Sequence, residues 1–441
     1  SSRGRRDDPA LAEALALVAV AAQRVLGLRP HLAQLTAAAI ALDDGIAELP
    51  TGEGHLLSLV VAASVSAMAG EPVHLVLRHD AVVAGSYDRY RPLLDALGIS
   101  NAMVTTDLAA GRREAAHGAE VVFTSAAALL QDRGAGAEDY AVPGFAGLRS
   151  AFLHEADRLL IDGARFRLSS PQTLTLRELF RRYWRLGGVT ATGREVGDEL
   201  AQVYGLAVVP IASIYPAFER DLGWRILPDR AGQQRWLLDR VEALRKARRP
   251  VLILATHRDE CRALAALLLE RGIEPVRCDL VAADPTRAEQ AAKLAGKARA
   301  VSLHCVLDPL PLTVLPEPLA RAAGGLALIA TALGPSRRHD RHNAGRVGHQ
   351  GEPGTTEAIL DAGRPIVMAG WSLPVSGLVR LAELGVPQHL LALAIAARRR
   401  QLDTRMRRLR SLGRDEAGPQ GEAVAAVRNA ALLPAVAAEG A

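Results

Sequence analysis

Short apolar runs alternate with helical patterns along most of this chain. Ile46–Leu49, Val73–Leu77, Met103–Thr105, Val121–Phe123 and Ala151–His154 form one series of candidate strands, and Val251–Ala255, Pro275–Cys278, Val301–His304, Gly325–Ile329 and Pro365–Met368 a second. These runs are continuous rather than alternating and are bounded by glycine and proline, the pattern of strands covered on both faces. Between them Gln233–Ala247 and Asp259–Arg271 carry a helical period, and Pro9–Leu28 reads as an alanine-rich amphipathic helix. The alternation predicts a doubly wound α/β fold in two lobes, with the seam between residues 210 and 230. A helix over Gln388–Arg414 follows, apolar over Leu390–Ala397 and then basic with Arg398, Arg399, Arg400, Arg405, Arg407, Arg408, Arg410 and Arg414. From Asp415 onward Gly, Ala, Pro and Glu dominate, a composition that predicts poor order.

At 441 residues a single core is too small an account, and two to three domains are expected. The charged fraction of 23% and a net charge of +5 are mild, so composition does not choose between lipid, RNA and protein as partner. Aromatics at 4% are too scarce for a base-stacking platform, which makes nucleic acid the weakest candidate. Cys261, Cys278 and Cys305 are far apart in sequence with no Cys-x-x-Cys pair, which predicts neither a zinc ribbon nor a disulfide framework and suits a reducing cytoplasm. The longest apolar run, Leu56–Ala69, is too short to span a bilayer, and the charged start is not of signal-peptide type.

Candidate chemistry gathers at the first and last strands of the first series. Thr51-Gly52-Glu53-Gly54-His55-Leu56 lies between a strand and a helix, where a phosphate-cradling loop would sit. A working loop of this kind ends in Gly-Lys-Thr, the lysine reaching the outer phosphates and the hydroxyl holding magnesium. Here His55 and Leu56 occupy those places. Phe152-Leu153-His154-Glu155-Ala156-Asp157 has the form of an acidic motif whose first carboxylate holds the metal and whose second acts as base; the first has become His154 and Glu155 remains. The glycines alone are also compatible with a plain strand terminator.

Taken in order, these segments resemble the SecA family of protein-export ATPases. Leu28-Arg29-Pro30 and Gln34-Leu35 look like its adenine-reading segment, Gln34 falling on the family's glutamine. Asp44-Gly45-Ile46-Ala47-Glu48 leads into the phosphate loop; Arg91-Pro92-Leu93, Leu97-Gly98, Arg113-Glu114-Ala115, Leu160 to Arg165 and Leu186 to Thr192 follow at family-like spacing. Gly324-Gly325-Leu326, Ser336-Arg337-Arg338, Asp340 and Gly345 to Glu352 resemble the motor's arginine-rich final motif. The resemblance implies two tandem RecA-like lobes with parallel sheets: residues 1–215, without the family's preprotein-crosslinking insertion; residues 216–385; a scaffold remnant in the basic helix 386–414; and a tail, 415–441.

It also implies site residues. Glu155 is the remnant base and Arg346 the remnant arginine finger; Gln34, Thr51, Gly52, Glu53, Gly54 and His55 would touch nucleotide, so that ATP or ADP binds weakly if at all, and no metal ligand is assigned. Leu307 to Leu312 falls where the family carries an arginine and an aspartate, and Ala344 and His349 replace two further arginines. Losing even one preorganised cation costs phosphoryl transfer about a hundred- to a thousand-fold. Asp157, Asp162 and Arg165 are expected to pair charges between sheet edge and loop. His339, His342 and His349 with Asp340 are better read as drift in the parent motif than as a metal site. The expectation is a degenerate motor core that serves as a scaffold for another protein or complex, cytoplasmic or peripheral to the inner membrane, with anionic lipid a further partner for Arg398–Arg414. An active translocase ATPase and an RNA-binding helicase relative are the alternatives.

Overall fold

A computed structural model describes residues 8–133, 148–164, 175–216, 218–280, 285–305, 313–334, 336–361 and 386–411. The chain divides after Ile214 into two units. The first contains α1 (Asp8–Leu26), α2 (Leu32–Leu42), β1 (Gly45–Glu48), α3 (His55–Met68), β2 (Val73–Leu77), α4 (Asp80–Ala96), β3 (Asn101–Val104), α5 (Ala110–Ala116), β4 (Val121–Ser125), α6 (Ala126–Arg133), β5 (Ser150–His154), α7 (Leu176–Phe180), β6 (Arg185–Thr190), α8 (Gly197–Tyr204) and β7 (Ala207–Pro210). The second contains β8 (Glu219–Leu227), α9 (Arg230–Lys246), β9 (Val251–Ala255), α10 (Arg258–Glu270), β10 (Val276–Arg277), α11 (Pro285–Ala295), β11 (Val301–Cys305), α12 (Pro318–Ala322), β12 (Leu326–Ala330), α13 (Arg337–Ala344), β13 (Gly354–Asp361) and the helix Gln388–Ser411, here α14.

Each unit is built on a wholly parallel sheet. The first has the order β3-β4-β2-β5-β6-β1-β7 and the second β10-β11-β9-β12-β13-β8. The apolar runs are continuous because both sheet faces are covered: every residue of β2, β4, β9 and β11 is buried. Within the first unit, α1, α3 and α4 pack Leu15, Val18, Leu59, Val60, Leu93 and Leu94 against Leu75 and Phe123.

The alternation read from the sequence corresponds to this plan, with differences at particular strands. β6 carries Gly187 and Gly188 and has no apolar run to announce it. A Cβ at Gly187 would overlap the main-chain carbonyl of Ala41 in α2, so this strand is glycine-rich because a helix backbone lies directly on it. β8 is an edge strand, largely exposed and rich in charge, with Gly223 at a positive φ. β13 lies before the expected strand at Pro365–Met368, which falls outside the described residues.

Two expectations change in the helices. α1 is, among the described residues, the one helix long and apolar enough by length and composition to cross a membrane, over Pro9–Leu26; the run Leu56–Ala69 singled out in the sequence falls largely within the shorter, buried helix α3. In α14 the apolar half packs Leu391 and Ile395 on Ile226 of β8 and on Leu333, Ala358 and Leu360. Its basic half is not a uniformly solvated face. Arg399 is fully buried, its guanidinium forming an ion pair with Asp340 at 2.5 Å and donating to the Gly334 carbonyl at 2.9 Å. One of the arginines assigned to anionic lipid thus forms an internal ion pair, because α14 packs against α13.

Candidate functional site

The loop Leu49–Gly54 joins β1 to α3 at the carboxyl end of the first sheet, the end where ligands bind in open parallel sheets. Gly52 and Gly54 both have positive φ, at 85° and 77°. α3 starts at His55 immediately after Gly54, so the free N–H groups of its first turn open onto the loop, as an anion cradle requires.

Gln34 fixes that loop from α2. Its amide nitrogen donates to the Glu53 carbonyl at 2.9 Å, while its carbonyl oxygen accepts from the main-chain N–H of His31 at 2.8 Å. Any Cβ at Gly54 would overlap the Gln34 amide, which explains the glycine. The Glu53 side chain is buried; Oε1 accepts from the Ser213 hydroxyl, and Oε2 has no hydrogen-bond partner among the described residues. Glu48, at the end of β1, is buried against the Arg194 main-chain N–H at 2.5 Å and its Nε at 2.8 Å.

His55 does not extend from the loop as a lysine would. Its Nε2 lies 3.0 Å from the Leu49 carbonyl and 2.9 Å from the Pro50 carbonyl. Both are acceptors only, so Nε2 carries the proton and donates to the loop itself. Burial, and secondarily the charge of His154, hold its pKa below the usual imidazole value. The His154 ring sits 6.2 Å away, centroid to centroid, and burial lowers its pKa as well, against the opposing effect of Glu155. Two neutral imidazoles therefore stand where the resemblance places a cation and a metal-binding carboxylate.

Glu155 follows with φ at 54°, a left-handed conformation uncommon outside glycine and concentrated at functional sites. Its Oε2 lies 3.8 Å from Arg78 Nη1 and 3.9 Å from Arg158 Nε, charge pairs at the outer limit of an ionic contact. Asp157 accepts from the hydroxyls of Thr190 and of Thr192, the latter at 2.7 Å, and so ties the end of β5 to the end of β6. Arg165 lies outside the described residues, as does the segment Leu307 to Leu312.

The first unit thus brings Gln34, the loop Thr51–His55, His154 and Glu155 together. Arg346 is a residue of the second unit, buried there beyond α13, where its charge helps to keep His304 neutral. His339 Nδ1 is 2.8 Å from the Ser336 hydroxyl at the start of α13, and the histidines of this stretch form no metal-ligating group with Asp340 among the described residues. Sequence reading passed over Arg78, Arg194 and Ser213. Arg78 had a usable signal, a charge directly after an apolar strand run at the ligand-binding end; Ser213 and Arg194 act on Glu53 and Glu48 from far along the chain and had none.

A family model of the SecA DEAD-like domain matches residues 1–173. The protein translocase subunit SecA of Syntrophomonas wolfei is 22% identical over 534 aligned positions, covering 91% of this chain and 64% of that protein. SecA of Bacteroides thetaiotaomicron is 34% identical over 184 residues, 42% of this chain and 16% of the relative, and SecA 2 of Nitrosospira multiformis 32% over 189 residues, 42% and 28%. The chain thus spans less than two thirds of the length of these relatives. Among solved structures, a point variant of S. cerevisiae Dbp5 bound to RNA and ADP BeF3 superposes with a TM-score of 0.55 at 12% identity, over 80% of this chain and 89% of that one. Dbp5 itself in the same complex gives 0.52 at 13%, over 80% and 87%. At such identities the likeness concerns the fold, two helicase-like RecA units.

Proposed function

Given that the chain belongs to the SecA family, we propose that it is a motor-derived core whose pocket has lost phosphoryl transfer and which serves as a scaffold or accessory subunit for another protein. The observation that carries this reading is the inward turn of His55. Its one protonated nitrogen is committed to the Leu49 and Pro50 carbonyls, and the ring is neutral. Neither it nor Leu56 supplies the cation and hydroxyl that phosphoryl transfer uses to offset developing charge, and His154 supplies no carboxylate for magnesium. Weak nucleotide binding stays compatible with this account, because the α3 N-terminus and the Gln34-braced loop keep their backbone donors. On family grounds we place the protein in the cytoplasm, peripheral to the inner membrane, as part of a protein-export process. The curated relatives are named translocase subunits, and this chain would act beside such a machine without driving it.

Nucleotide affinity and hydrolysis, measured with and without magnesium, test the reading. We expect affinity that magnesium does not improve, and no turnover that Glu155→Gln removes. The triple variant His55→Lys, Leu56→Thr, His154→Asp should gain magnesium-dependent affinity. Sustained magnesium-dependent hydrolysis by the unaltered chain, abolished by Glu155→Gln, would favour the active translocase instead.

A further inference from the structure

The second unit brings together two cysteines that the sequence keeps apart. Cys261 lies early in α10 and Cys305 ends β11, and their Sγ atoms are 3.6 Å apart. The carboxylate of Asp279, in the turn after β10, completes a group whose donor atoms all lie within 4.8 Å of one another. All three residues are buried. Cys278, next to Asp279 in sequence, belongs to a different cluster with Leu252, Leu254 and Val347.

A buried carboxylate among thiols needs compensation. Arg277 provides it with two bonds, from Nε at 2.7 Å and Nη2 at 2.6 Å. A carboxylate has about four lone-pair sites, so this fork leaves room for a further ligand. We propose that Cys261, Cys305 and Asp279 form a binding site for a divalent thiophilic cation, zinc being the best fit, with Arg277 orienting the ligating carboxylate.

Three considerations favour that ion. Zinc–sulfur bonds of about 2.3 Å at a tetrahedral angle set two thiolates about 3.8 Å apart, close to the spacing already present, whereas a disulfide requires about 2.05 Å. Two thiolates, one carboxylate, one guanidinium and a divalent cation sum to zero charge, which a dry interior tolerates; a monovalent cation would leave a buried negative charge. Two sulfur donors exclude magnesium and calcium, which take oxygen. The carbonyl of His304, which accepts from Cys261 Sγ at 3.6 Å, borders the same space. Bound there, the ion would join the start of α10, the end of β11 and the turn after β10, which makes its role structural.

The test uses the full chain, reduced and stripped with a chelator, titrated with Co²⁺ as a spectroscopic probe and then with Zn²⁺. We expect one equivalent of cobalt to develop thiolate charge-transfer and tetrahedral d–d bands that one equivalent of zinc bleaches. Cys261→Ser and Cys305→Ser should each abolish the bands, Cys278→Ser should keep them, and Asp279→Asn should weaken zinc binding by about ten-fold or more. If a serine variant fails to fold, the titration of the unaltered chain decides alone. Absence of the bands in that chain, their loss in Cys278→Ser, or a Cys261–Cys305 disulfide formed in air and indifferent to zinc would overturn the proposal.

Discussion

His304 is a fully buried imidazole, and neither ring nitrogen has a hydrogen-bond partner among the described residues. Burial, with Arg346 adding to it, holds its pKa well below the ordinary value. The folded state therefore keeps it neutral, while the unfolded chain takes up a proton below a pH of about 6.5. Stability contributed in this way is present above that pH and is lost as pH falls below it. We expect His304→Leu to raise the stability of the second unit at neutral pH by about 1–2 kcal/mol and to flatten its acid limb; a variant as acid-sensitive as the parent would show that another group is responsible. At this scale the sequence showed which residues occupy the decayed site, yet not where they point. That His55 would turn back onto the loop follows from the placement of the Leu49 and Pro50 carbonyls, which no residue type encodes. Arg399 shows the same limit: within a run of arginines nothing marks the one that meets Asp340.

Elements were legible where both sheet faces bury apolar residues, and illegible where something other than hydrophobicity sets the residue type. β6 is glycine-rich because α2 lies on it, and β8 is polar because it is an edge strand. Gly187→Ala tests the first explanation. Its Cβ would meet the rigid backbone of α2 rather than a side chain able to yield, so we expect a loss at the upper end of the overpacking range, about 3 kcal/mol, by chemical denaturation of the first unit. Gly111→Ala in α5, where no atom lies within 4 Å of the added carbon and φ is likewise not positive, controls for the added methyl alone and should leave stability unchanged or raise it by up to about 1 kcal/mol. Equal losses at both positions would remove close packing as the reason for the glycines of β6.

Across the molecule, two parallel sheets came through from the sequence because alternation of apolar runs and helical patterns is a property of hundreds of residues and survives local drift. The active-site inventory rests on a handful of side chains and does not. Arg399→Ala should lower the transition of the second unit by about 3 kcal/mol, since it leaves Asp340 without its buried partner, and should leave that of the first unit unchanged. Mg-ATP at micromolar concentration should leave the thermal midpoint of the first unit where it is. A ligand held at ten times its Kd would add about 1.4 kcal/mol, so a clear upward shift at that concentration would reveal affinity tighter than backbone donors alone account for.

The imidazole folded over Leu49 and Pro50 has one more consequence. A loop whose shape depends on a bound triphosphate varies with the energy charge of the cell, whereas one closed by its own side chain holds the same shape in starved and growing cells. Any surface built on that loop is then offered at all times, and its occupancy is set by the abundance of whatever recognises it.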